Sequence, residues 1–142
     1  MTIQVRLAES PGDLDTCLRL RWTVFVEEQG VRPSLEVDAH DRESAVHALA
    51  LRDGIPCGAG RFIFTGPGVA KIQRLAVVDD ARRSGAGRAL LDFLESEARK
   101  RGAARFVLDA QVHAQAFYEK AGYAAHGPVF DDAGIPHLAM AK

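Results

Sequence analysis

The residues best suited to chemistry fall in one stretch, Leu75-Ala76-Val77-Val78-Asp79-Asp80-Ala81-Arg82-Arg83-Ser84-Gly85-Ala86-Gly87-Arg88. Apolar residues up to Val77 predict a strand, and Leu90, Leu91, Phe93 and Leu94 predict the buried side of a helix beyond it. The arginines and glycines therefore sit in the turn that leads into a helix. Unpaired amides and the positive end of the helix dipole favour an anion at such a place. Gly85 and Gly87 carry no side chain to hold a diphosphate away from the backbone. Arg82 and Arg83 can add charge-assisted hydrogen bonds. An ordinary strand-to-helix connection would use glycines in the same way. No Gly-Lys-Ser/Thr follows, so this is not a P-loop, and Leu90 stands where a dinucleotide fingerprint needs its third glycine.

The elements that must hold this turn are legible along the whole chain. Thr2–Ala8 alternates as a half-buried strand, and Ser10, Pro11 and Asp13 announce a helix running to about Val26. Residues 28–44 read as a long loop or short irregular helix. Val46–Leu51 and Cys57–Phe64 are strands joined at Asp53-Gly54, a hairpin signal. Val69–Val77 is the next strand, followed by a helix from Gly85 to about Arg101 that Gly102 ends. Arg105–Ala110 is a short strand and His113–Ala121 a short helix; two final strands flank Asp131-Asp132-Ala133-Gly134. This order predicts an α+β domain over residues 1–142, α/β in the broad sense, with a mixed and largely antiparallel sheet flanked by helices. A formal net charge of −1 gives no basis for non-specific binding to nucleic acid or membranes. No apolar run is long enough to span a bilayer, and the start lacks a signal-peptide core, so the expected location is cytoplasmic. Cys17 and Cys57 read as reduced, packed thiols.

Arg82-x-x-Gly85-x-Gly87, preceded by Leu75-Ala76-Val77, resembles the acetyl-CoA-binding motif of the GNAT acetyltransferase superfamily. Ala116-Phe117-Tyr118-Glu119-Lys120-Ala121-Gly122-Tyr123 resembles that family's second recurrent segment, in the right order. Arg21–Gln29 and Gly134-Ile135-Pro136-His137 are similar to a subgroup of small bacterial members of ElaA/YjcF type. The resemblance implies the GNAT fold and transfer of an acetyl group from acetyl-CoA to a primary amine. It also implies roles. Amides of Arg83, Ser84, Gly85, Ala86, Gly87 and Arg88, with Arg82, would hold the diphosphate. Leu75, Ala76 and Val77 would form the cofactor strand, with the Val77 amide facing the acetyl oxygen. Tyr118 would protonate the departing thiolate; its structural alternative is a packed aromatic. Many members carry an asparagine before this last helix, where Gln111, Val112 and His113 stand here.

An amine attacks only as the free base, so a proton acceptor or a water chain is needed. Of five histidines, His137 is the preferred base, on the Gly-Ile-Pro-His pattern; a structural histidine at the sheet edge is the alternative. Glu28 is the next candidate. His40 lies between Asp38 and Asp41, but without metal-ligand spacing, so no metal is expected. Arg21 and Arg74 lie near apolar faces and would either clamp an acceptor anion or form internal ion pairs with Glu28, Glu36 or Asp109. Glu28 and Gln111 complete the acceptor-site candidates. The expectation is direct transfer to a small-molecule amine in a ternary complex, with a homodimer left open. A non-catalytic acyl-CoA-binding module and an enzyme for longer acyl chains are the alternatives.

Overall fold

The computed structural model describes residues 1–142. Strand β1 (Ile3–Leu7) leads into helix α1 (Pro11–Arg21), which continues as π-helical turns over Trp22–Glu28. Two short helices, α2 (Pro33–Glu36) and α3 (His40–Glu43), precede β2 (Val46–Arg52), β3 (Ile55–Gly66) and β4 (Val69–Val77). Then come α4 (Ala86–Lys100), β5 (Arg105–Gln111), α5 (Gln115–Lys120), β6 (Ala124–Asp132) and β7 (Ile135–Ala141). The strands form one sheet in the order β1-β2-β3-β4-β5-β7-β6. Only β4 and β5 run parallel. The class is α+β, mixed and largely antiparallel, as the sequence pattern predicts.

Alternation in β2 explains why the sheet is covered twice. Ala48 and Ala50 point into a core with Leu90, Leu91, Leu94 and Ala98 of α4. Leu49 and Leu51 point the other way, against Cys17 of α1 and Ala59. Helix α4 comes unusually close to β3 because Gly58 and Gly60 lie beneath it. A Cβ at Gly60 would stand 2.8 Å from Leu94 Cδ1, and one at Gly58 would stand 2.9 Å from Leu90 Cδ1. The β2–β3 turn has φ of 51° at Asp53 and 80° at Gly54, the two left-handed residues of a tight hairpin.

Two features beyond the sequence expectation matter for the site. The first helix does not stop near Val26: Gln29 N–H reaches Val24 O, five residues back, and carries the helix to Glu28. Single π-helical turns of this kind concentrate at functional sites. The 28–44 segment takes the helical form of the two that the sequence left open. Its two short helices are fastened by buried ion pairs, which hydrophobic periodicity does not reveal.

Candidate active site

The site begins where β4 and β5 part. Their parallel pairing runs from Val69↔Arg105 to Ile72↔Leu108 and goes no further, leaving the C-terminal half of β4 without a partner on that side. On its other side β4 carries a bulge. Ala59 faces Ala76 and Arg61 faces Gln73, so Arg74 and Leu75 together oppose Gly60. Arg74 pays for this with a left-handed φ of 56°. Beyond the bulge, Val78 N–H bonds to Cys57 O at 2.9 Å. Inward-facing groups alternate along an antiparallel pair, so the N–H and C=O of Val77 face the slot between the strands.

The turn after β4 closes one end of the slot. Arg83 has φ of 63° and Gly85 has φ of 92°, which brings the chain abruptly into α4. Gly85 is the N-cap and supplies no capping side chain, so the Gly87 and Arg88 amides at the start of α4 have no side-chain partner. Ser84 Oγ reaches only the Ala86 amide, at a long 3.4 Å. A Cβ at Gly87 would touch the Phe117 ring at 3.5 Å. An uncapped helix start beside outward-facing strand groups offers unpaired donors to an anion. The arginines are deployed unequally: Arg88 pairs with Asp92 at 3.0 Å, whereas Arg82 is gripped by Glu28 at 2.6 and 2.7 Å.

One cavity of 680 Å³ runs along the slot, lined among others by Glu28, Arg74, Val77, Gln111, Tyr118 and His137. Tyr118 is packed edge-to-face between Phe117 and Tyr123, with ring centroids 5.0 and 6.0 Å away. Burial alone pushes its phenol up to about 12, so the hydroxyl keeps its proton at neutral pH. His137 Nδ1 lies 2.7 Å from Ile135 O. A carbonyl only accepts, so the Nδ1 atom carries the hydrogen and Nε2 of the neutral ring holds the lone pair. Phe130 stacks on the same imidazole, 6.0 Å between centroids.

The remaining acceptor-site candidates separate. Arg21 does not line the cavity, and the clamp expected of it is not formed. It is 1% exposed, and its donors go to Glu36 Oε1 (2.6 Å), Asp41 Oδ1 (2.6 Å) and Glu36 O (2.8 Å). Its work is to fasten α2 and α3 to α1, a role its place on the helix face allowed equally. Arg61, equally buried, shares Asp41 (2.7 Å) and takes Asp38 (2.7 Å). Arg74 does reach the cavity. It donates to Glu36 O (3.0 Å) and Leu35 O (3.3 Å), and its nearest carboxylate oxygen is 3.5 Å away. Gln111 exchanges amide hydrogen bonds with Gln29 (2.8 and 3.2 Å). Glu28 is committed to Arg82, whose hydrogen bonds hold its carboxyl below the ordinary range, which makes it a weak base. His40 bonds to Ser44, and both aspartates beside it serve Arg61. Sequence reading missed Gln29, Asp132 and Ala133 in the cavity wall. The last two were legible only as turn residues.

A slot between diverging strands, an uncapped helix start, and a buried phenol and an imidazole lining the same cavity are the features an acyltransferase type of site would use. The comparisons agree. The family model of the acetyltransferase (GNAT) domain matches residues 15–142, and the chain belongs to that family. It is 37% identical to the uncharacterized N-acetyltransferase YjcF of Bacillus subtilis over 137 residues, 96% of each chain. The crystal structure of Escherichia coli ElaA superposes with a TM-score of 0.87 at 25% identity, covering 99% of both chains. An acyl-CoA N-acyltransferase from Pseudomonas aeruginosa superposes at 0.83 with 29% identity, covering 99% of this chain and 98% of the other. No helix is long and apolar enough to cross a membrane.

Proposed function

We propose that the protein transfers an acetyl group from acetyl-CoA directly to the amine of a small molecule. The observation that carries this reading is the single cavity that joins the outward backbone of Val77, the Tyr118 hydroxyl and His137. Acetyl-CoA supplies the activated acyl group. Amides from Arg83 to Arg88 and the positive end of α4 bind its diphosphate. Outward groups of Leu75 and Val77 hydrogen-bond its pantetheine arm as an added strand would, with Ala76 holding the strand in the core. The Val77 N–H stabilises negative charge developing on the acetyl oxygen. His137 Nε2 takes the amine proton. Tyr118 donates a hydrogen bond to the departing sulfur. A phenol near 12 does not simply give its proton to a thiolate of ordinary pKa about 8.5. Its contribution is therefore the hydrogen bond itself, with transfer completed only as the buried sulfur becomes the stronger base.

No side-chain nucleophile competes with direct transfer. Burial drives the Cys17 thiol up to about 12 and raises Cys57 as well, so neither is a thiolate at neutral pH. Two such unpaired thiols suit a reducing, cytoplasmic setting. Arg74, loosely held by carbonyls, is the group that takes an anionic substituent of the acceptor. The test is release of free CoA across a panel of amines that differ in charge. Anionic amines should be preferred, and Arg74→Ala should raise their KM while sparing neutral ones. Loss of activity towards all amines alike would make Arg74 a purely structural residue, and no CoA release from any amine would refute the enzyme.

A further inference from the structure

Arg82 makes four side-chain contacts, and only the longest is with a side chain of its own turn. Nη1 and Nη2 grip the two Glu28 oxygens at 2.6 and 2.7 Å, and Nε donates to Val77 O at 3.0 Å. Asp79 Oδ1 stands 3.4 Å from Nη1. The bidentate partner comes from the last π-helical residue, 54 positions away in sequence, on the opposite face of the sheet from α4. The pair is also half open to solvent, with side chains 36% and 41% exposed. It therefore satisfies the one arginine that leads into the anion-binding turn, and does so in a form that is cheap to break. It also covers the Val77 carbonyl, one of the few backbone groups that face the slot.

We infer that Glu28 is a latch for Arg82: it competes with the CoA diphosphate for that guanidinium and re-engages it as CoA departs. This rests on the cofactor reading above and goes beyond it in giving Glu28 a role opposed to binding. Arg82 turns from Glu28 to the diphosphate when the turn is filled, and the Val77 carbonyl is uncovered in the same movement. When the reaction ends, Glu28 offers Arg82 a second carboxylate-type partner and so lowers the barrier to release. A purely structural salt bridge would act the other way, holding Arg82 ready and strengthening CoA binding.

The sign of one substitution separates the two. Titration calorimetry with CoA should find that Glu28→Gln binds about two- to fivefold more tightly than wild type, the range expected from removing a competing exposed ion pair. Stopped-flow displacement should assign the gain to slower dissociation. Asp79→Asn removes the same charge from the same neighbourhood without touching the bidentate grip, and should change affinity far less. In an Arg82→Gln background, Glu28→Gln should give no further gain. Equal or weaker CoA binding by Glu28→Gln would overturn the latch, as would an equal gain in Asp79→Asn. Wild-type protein that binds no CoA would overturn the cofactor reading along with it.

Discussion

Tyr118 and His137 differ in how well their chemistry can be isolated. Removing the Tyr118 hydroxyl leaves its edge-to-face packing with Phe117 and Tyr123 in place. Tyr118→Phe should therefore keep the Kd for acetyl-CoA and lower kcat by about 10²-fold, the low end for a positioned proton donor. The low end is expected because a phenol near 12 donates weakly. For the same reason, no loss of activity below about pH 11 should trace to this hydroxyl. Weaker cofactor binding with unchanged kcat would return Tyr118 to a packing role. For His137 the discriminating observable is a pH profile. If Nε2 accepts the amine proton, kcat/KM should rise with pH, and His137→Ala should remove that limb. A profile unaltered by the substitution would hand the task to a water chain. The tautomer, fixed by Ile135 O, is what the sequence could not supply. Gly-Ile-Pro-His marks the residue but says nothing about which nitrogen is free.

At the scale of elements, the two parts of the site differed in legibility for a physical reason. The strand, turn and α4 are local: period-two and period-3.6 patterns and glycine placement encode them, and they stand where the pattern put them, with α4 starting at Ala86. The cavity wall formed by Val31, Leu35 and Glu36 is not local. The 31–44 segment is set by Arg21 and Arg61, which reach Glu36, Asp38 and Asp41 across 15 to 23 positions. Nothing in the spacing chose that pairing over a substrate clamp. Burial alone would raise the Asp41 carboxyl, but hydrogen bonds from Arg21 and the Asp38 amide, with the charges of both arginines, hold it far below the usual range. The hydrogen bond from Arg61 likewise lowers Asp38. Groups depressed on folding contribute stability above their unfolded pKa near 3.9 and lose it as pH falls below that value. His47 adds an earlier loss. Burial lowers its pKa, so the unfolded chain binds a proton first as pH falls below about 6.5 and draws the equilibrium towards it. Thermal unfolding should therefore show stability falling from about pH 6.5 and again from about pH 4. Asp41→Asn removes a carboxylate shared by two buried guanidinium groups that keep Glu36 and Asp38, and should cost about 1.5–3 kcal/mol, a Tm loss of roughly 5–10 °C. A loss of only a degree or two would show that the network contributes little.

At the scale of the molecule, the sheet serves as a frame with one opening. Five of the six strand pairings are antiparallel, and the single parallel contact, β4 to β5, is the one that comes apart. Helix α4 covers one face and α1 with its π-helical extension the other; the extension ends in the wall of that opening, and α4 starts a few residues beyond Arg82, which lines it. The central claim is that this opening receives acetyl-CoA through the uncapped start of α4. Titration calorimetry of wild type and Gly87→Glu with acetyl-CoA tests it most directly. Gly87 is the better position because Gly85, at φ of 92°, would be strained by any side chain, whereas a Cβ at Gly87 makes only ordinary contacts, with the Phe117 ring at 3.5 Å and Val77 Cγ2 at 3.7 Å. The account predicts saturable one-to-one binding by wild type and none by a folded Gly87→Glu, whose carboxylate would occupy the anion site. Equal affinity in the two proteins would contradict it.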